Sequence, residues 1–155
     1  MKFSTREDIE APIAYVYAQI TDFQGFERQA MRRGADVQRI DGTGAINVGS
    51  AWDVAFKFRG KDRKMKASIA TLESPTLLEI NTVAAGLDGA SSVELVALSR
   101  NRTRISVTVE MSPRSLSARL LLQSLKLAKN SLTRKFKLRV TDFAEEVELR
   151  YRKTA

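Results

Sequence analysis

Apolar and polar residues alternate through the middle of this chain and recur at steps of three or four near its two ends. The first pattern has the period of a strand with one buried face, the second that of an amphipathic helix. Alternation is clearest from Thr103 to Met111, where Ile105, Val107, Val109 and Met111 oppose Arg104, Ser106, Thr108 and Glu110. From Ser50 to Arg59, Trp52, Val54, Phe56 and Phe58 share one face against Asp53, Lys57 and Arg59. Met65, Ala67 and Ile69 form the inward set of Lys64–Leu72, followed by Leu78, Ile80 and Thr82, and by Val93, Leu95 and Ala97 within Ser92–Leu98. Val37–Ile40 reads as a short strand, and Lys2–Glu10 as a first strand with Phe3, Thr5, Glu7 and Ile9 together. Turns are expected at Asp41–Gly44, Gly60–Asp62, Ser74–Pro75 and Gly86–Gly89, where glycine or proline interrupts the alternation.

Helical spacing begins after Ala11–Pro12, since proline has no N–H for a ladder but suits a first helical turn. Ile13, Val16, Tyr17 and Ile20 predict a helix over Pro12–Thr21. Asp22 is placed to cap a second short helix carrying Phe23, Phe26 and Met31, which Gly34 ends. Beyond Pro113 there is neither glycine nor proline, and Leu121, Leu125, Ala128, Leu132, Phe136, Val140, Phe143 and Val147 keep to one side of a rod. The predicted class is α+β: a curved antiparallel sheet of roughly seven strands wrapped around a long C-terminal helix, with two short helices between strands 1 and 2. With no repeat and no linker, residues 1–155 read as one domain.

Three local passages sharpen this order. Asp8–Phe23 runs from strand through Ala-Pro into an amphipathic helix ending in Asp, Val48–Trp52 places glycine just before an aromatic strand start, and Asn101–Ile105 pairs a tight turn with a threonine. Together they resemble the helix-grip SRPBCC/START/Bet v 1-like superfamily, which includes polyketide cyclase/dehydrase-like members, over essentially the whole chain. Many members carry a tryptophan soon after the Asp that ends the first helix, whereas Phe23 and Phe26 occupy that region here, so no subfamily is assigned. The resemblance implies binding or transport of lipids, sterols or polyketides, cyclisation or dehydration of polyketides, or chaperone or ribosome association. Fold alone does not choose among these.

Composition narrows the chemistry. A 43% hydrophobic and 28% charged chain is that of a globular protein rather than a disordered tail. The absence of cysteine excludes disulfides and thiolate chemistry, and the absence of histidine removes the commonest general acid/base and zinc ligand. The polar N-terminus lacks a signal-peptide core, and no segment approaches the roughly 20 apolar residues that span a bilayer, so a cytoplasmic location is expected. Asp41–Gly49 is glycine-rich but lacks the Gly-Lys-Ser/Thr ending of a phosphate loop and leads into a strand. Asp53, Asp62 and Glu73 are scattered, so neither metal nor cofactor is expected. The net charge is +8, and from Pro113 onward eleven Lys/Arg stand against four Asp/Glu. That excess suits a solvated helix face, or an anionic partner such as acidic lipid, RNA or an acidic protein.

A sheet curled over the terminal helix would enclose the inward positions. The expected ligand pocket comprises Trp52, Phe56, Phe58, Met65, Ile69, Ile80, Thr82, Leu95, Val107, Val109 and Met111 from strands, with Leu121, Ser124, Leu125, Ala128 and Leu132 from the helix. Glu7, on the apolar side of strand 1, and Arg139, on the apolar sector of the helix, are its candidate polar points; Arg139 could also pair with Glu7 or Asp142. No catalytic residue is assigned. A cyclase or dehydratase would have to draw on Glu7, lysines or tyrosines such as Tyr15 and Tyr17. The expected function is binding or transport of a small hydrophobic ligand, with the basic helix as an interaction module the alternative. The sequence assigns no oligomeric state.

Overall fold

The alternating segments pair into one antiparallel sheet in a computed structural model that describes residues 1–154. Strands β1 (Lys2–Ile9), β2 (Asp36–Arg39), β3 (Ala51–Phe58), β4 (Lys61–Glu73), β5 (Leu77–Ala84), β6 (Leu87–Ser99) and β7 (Arg102–Pro113) lie in the order β1-β7-β6-β5-β4-β3-β2. Helices α1 (Ile13–Ile20) and α2 (Phe23–Arg32) carry the chain from one edge of the sheet to the other. Asp22 caps α2 as its position implies, its Oδ1 accepting from the Gly25 N–H at 3.1 Å.

Two hairpins are tighter than glycine placement suggested. Arg59 and Gly60 have φ of 53° and 74°, and Ala85 and Gly86 have φ of 45° and 79°. Positive φ at both central positions matches the twist of the flanking strands and closes a hairpin in two residues. Lys61 and Asp62 therefore belong to β4, and Gly89 sits inside β6 opposite Met111 and Thr82 rather than in a turn.

The stretch after Pro113 is also corrected. The long C-terminal helix is α4 (Lys129–Thr154), about 39 Å at 1.5 Å per residue, and a shorter α3 (Leu116–Lys126) precedes it. At the junction the Leu127 and Ala128 N–H groups bond three residues back, to the Ser124 and Leu125 carbonyls, tightening the last turn. The two helices have different partners: α3 packs on β7 and α4 on β1. Ser115 caps α3 by accepting from the Ala118 N–H at 3.1 Å.

Ile9, Val16, Ile69, Leu95, Ala144 and Val147 form a solid apolar core beneath α1 and the C-terminal half of α4. Thr103, fully buried, ties the end of β1 to this core by donating to the Ala11 carbonyl at 2.8 Å. Towards the other end of the sheet the filling stops.

Candidate functional site

Helix α2 shows where the core opens. Phe23, Phe26, Glu27 and Ala30 recur at helical spacing, yet none of its residues is fully buried. The stripe faces a cavity of about 560 Å³, within the roughly 300–1,000 Å³ typical of small-molecule sites. From α4 the cavity takes Phe136, Arg139, Val140 and Phe143, again steps of three and four. The sheet supplies Val37, Trp52, Val54, Met65, Ala67, Ile80, Val93 and Val107, and Ile20, Leu78 and Ile105 separate the space from the solid core. Ala30 and Ala67 are where larger side chains would close it.

The wall is aromatic and held in place. Phe23 stacks on Trp52 with centroids 5.4 Å apart, and Phe26 meets Phe143 at 6.2 Å. The Trp52 indole N–H donates to Glu27 Oε1 at 2.7 Å, fixing the ring and giving α2 its hold on β3. Glu27 and Arg139 are the charged residues of an otherwise apolar lining.

A second, more polar groove of about 990 Å³ adjoins the cavity between the end of α2 and strands β2–β4. The two share Phe26, Ala30, Val54 and Met65. The glycine-rich loop before β3 lies apart from both. The Arg39 guanidinium grips Asp41 at 2.8 and 2.9 Å and the Gly44 carbonyl at 2.6 Å, and the Ala51 N–H donates to Asp41 at 3.1 Å. These bonds hold the Asp41 carboxyl well below the usual carboxylate range, the Arg39 contact contributing most. The loop is internally satisfied, as a structural hairpin requires.

The expected pocket residues do not all come together. Trp52, Met65, Ile80, Val107 and Arg139 line the cavity. Phe56 lines the neighbouring groove, while Phe58 is exposed at the end of β3. Ile69 and Leu95 are 2% exposed in the solid core. Thr82, Val109 and Met111 lie further along the strands than the lining, and Leu121, Ser124, Leu125, Ala128 and Leu132 precede the turns of α4 that reach it. Within α3 it is Ala118, Leu122 and Leu125 that are buried.

Glu7 does share the face of Phe3 and Ile9, but α4 covers it. Its Oε1 accepts from the Thr141 hydroxyl at 2.7 Å, and it is absent from the cavity wall. Arg139 makes neither ion pair that its position allowed, with Glu7 or with Asp142, among the described residues. Tyr15 packs against Tyr151 at 5.0 Å, and Tyr17 lines a small crevice beside Leu72, where burial pushes its hydroxyl pKa up. The α2 contributors escaped the sequence reading of the pocket, although Phe23, Phe26 and Ala30 carried a usable signal in their spacing.

No family model and no curated protein matches this sequence. Solved structures do match its shape. An aromatase/cyclase from Streptomyces is 13% identical with a TM-score of 0.67, covering 97% of this chain and 94% of its own. Norcoclaurine synthase from Thalictrum flavum, in complex with dopamine and hydroxybenzaldehyde, is 12% identical with a TM-score of 0.67, at 97% and 87% coverage. An HSP90 activator from Plasmodium falciparum is 18% identical with a TM-score of 0.52, at 74% and 76% coverage. The fold is the helix-grip fold of SRPBCC/START/Bet v 1-like proteins.

Proposed function

We propose that the protein binds or carries a small hydrophobic molecule, lipid, isoprenoid or polyketide-like, in the cavity between the sheet, α2 and α4. The observation that carries this is the cavity itself: about 560 Å³ of space faced by apolar side chains in a fold whose other half is solidly packed. Burying an apolar ligand there removes apolar surface from water on both partners, at roughly 25 cal/mol per Å². The norcoclaurine synthase neighbour, captured with two small aromatic molecules, supports the same use of the fold. Trp52 is the chain's one tryptophan and lines the cavity, so its fluorescence is a direct reporter. Titration with fatty alcohols, isoprenoids and flat aromatic polyketides is expected to give a saturable change with at least one class. No change across the panel, with no molecule retained in native mass spectrometry, would sink the reading.

A second reading, docking on an anionic lipid surface, rests on α3. Leu116, Leu120 and Leu127 share its outer side and are 73%, 57% and 92% exposed. Between Glu110 and Asp142 the chain carries eight Lys/Arg and no acid. Exposed leucines flanked by cations are the composition of a helix that lies in a membrane interface; among the described residues no helix is long and apolar enough to cross one. Sedimentation with phosphatidylserine vesicles, but not with phosphatidylcholine vesicles, is expected, and Leu120→Glu should abolish it. Binding to RNA that survives Leu120→Glu, with no vesicle binding, would replace this reading with a nucleic-acid one.

A further inference from the structure

Arg63 sits on the inner face of the sheet. It is the Cα partner of Phe56, one step along from the Val54–Met65 pair that lines the cavity. A guanidinium on that face needs acceptors, because burying its N–H groups unpaired costs more than a hydrogen bond gains. Its Nε is buried and finds no acceptor among the described residues. Arg63 lines the groove that opens from the cavity through Phe26, Ala30, Val54 and Met65. Arg33, Lys57 and Lys64 line it too, against Asp36 and Asp62. None of the ion pairs among the described residues uses Arg33, Lys57, Arg63 or Lys64.

An apolar chamber that leads into a groove with surplus positive charge has the polarity of an amphiphile with an anionic head. We propose that the groove holds the carboxylate or phosphate head of the ligand on Arg63, with Arg33 at its rim, while the apolar body fills the cavity. The inference rests on the cavity reading and adds the head-group chemistry. A guanidinium donates two parallel N–H bonds to either anion, which a hydroxyl head cannot match.

The test compares ligands of one chain length, dodecanoate, dodecyl phosphate and dodecanol, by Trp52 fluorescence. Charge-assisted hydrogen bonding predicts that at least one anion binds about tenfold more tightly than the alcohol. Which anion shows the preference identifies the head. Arg63→Gln should reduce that preference to about threefold or less, weakening the anion more than dodecanol. Should Arg63→Gln not fold, the rim variant Arg33→Gln is expected to lower the preference and its salt dependence together. Equal affinity of all three probes for the unaltered protein overturns the head-group site and leaves the cavity reading standing. So does a preference that survives Arg63→Gln, or the rim variant where that one is needed. Failure of all three probes to bind overturns the head-group site, and the cavity reading falls with it when the isoprenoid and polyketide titrations also give no change.

Discussion

Asp8 joins strands β1 and β7 on the side of the sheet away from α4. It lies opposite Arg104, whose Nε donates to Asp8 Oδ1 at 2.8 Å, and Arg102 reaches Oδ2 at 3.2 Å. The Arg104 hydrogen bond is the main cause of a carboxyl pKa held below its ordinary 3.8; burial, the next largest effect, opposes it, and the charges of Arg104 and Arg102 add to the lowering. A depressed folded-state pKa means that the unfolded chain takes up the proton first as acid is added. The stabilising contribution is therefore complete above the ordinary carboxylate value and disappears as pH falls from there through the folded-state value. Asp8→Asn should be less stable than the unaltered protein at neutral pH, and urea-unfolding curves of the two should converge on acidification across that window. A gap that stays constant down to the acid transition would show that the ion pair does not set it.

At the level of elements, the β5–β6 hairpin is the seat of α3. The Arg114 N–H donates to the Gly86 carbonyl at 2.6 Å, and a Cβ on Gly86 would stand 2.5 Å from the Ser115 hydroxyl and 3.5 Å from the Ala118 methyl. Gly60 occupies the same place in the β3–β4 hairpin with a similar φ and nothing within 4 Å. Gly60→Ala should thus cost only the left-handed conformation, about 1–2 kcal/mol. Gly86→Ala should cost at least about 1 kcal/mol more, because it also lifts the capped start of α3 from its seat. Equal losses in denaturant titrations would mean that α3 adapts freely and is not anchored there. These elements also show what was legible beforehand. Strand β7 was readable from Thr103 to Met111 because its two faces meet different surroundings. The tight hairpins were not, since each places a non-glycine residue, Arg59 or Ala85, at positive φ. The break at Leu127–Ala128 left no trace because the apolar spacing stays in phase across it, from Leu122 and Leu125 to Leu132 and Phe136.

Over the whole molecule, the sheet grips a helix system that is packed at one end and hollow at the other, a division that no spacing rule could reveal. Phe23, Phe26 and Ala30 on α2 repeat as a core-facing stripe would, and facing a void leaves that pattern unchanged. Hence Ile69 and Leu95, inward like Met65 and Ile80, belong to the solid half, and the lining could be divided from the core only by the path of α4. The same division makes the hollow half testable. Ala67 lies on the cavity wall between Trp52 and Thr82. In a filled core, Ala67→Leu would overpack and cost about 1–3 kcal/mol. In an open cavity the added atoms enter empty space, so stability should hold or rise while room for ligand shrinks. Ala67→Leu is therefore expected to keep or raise the thermal midpoint and to weaken the Trp52-reported affinity of a cavity ligand about tenfold, a loss of ~1.4 kcal/mol. A destabilised variant that binds as well as the unaltered protein would locate the ligand elsewhere.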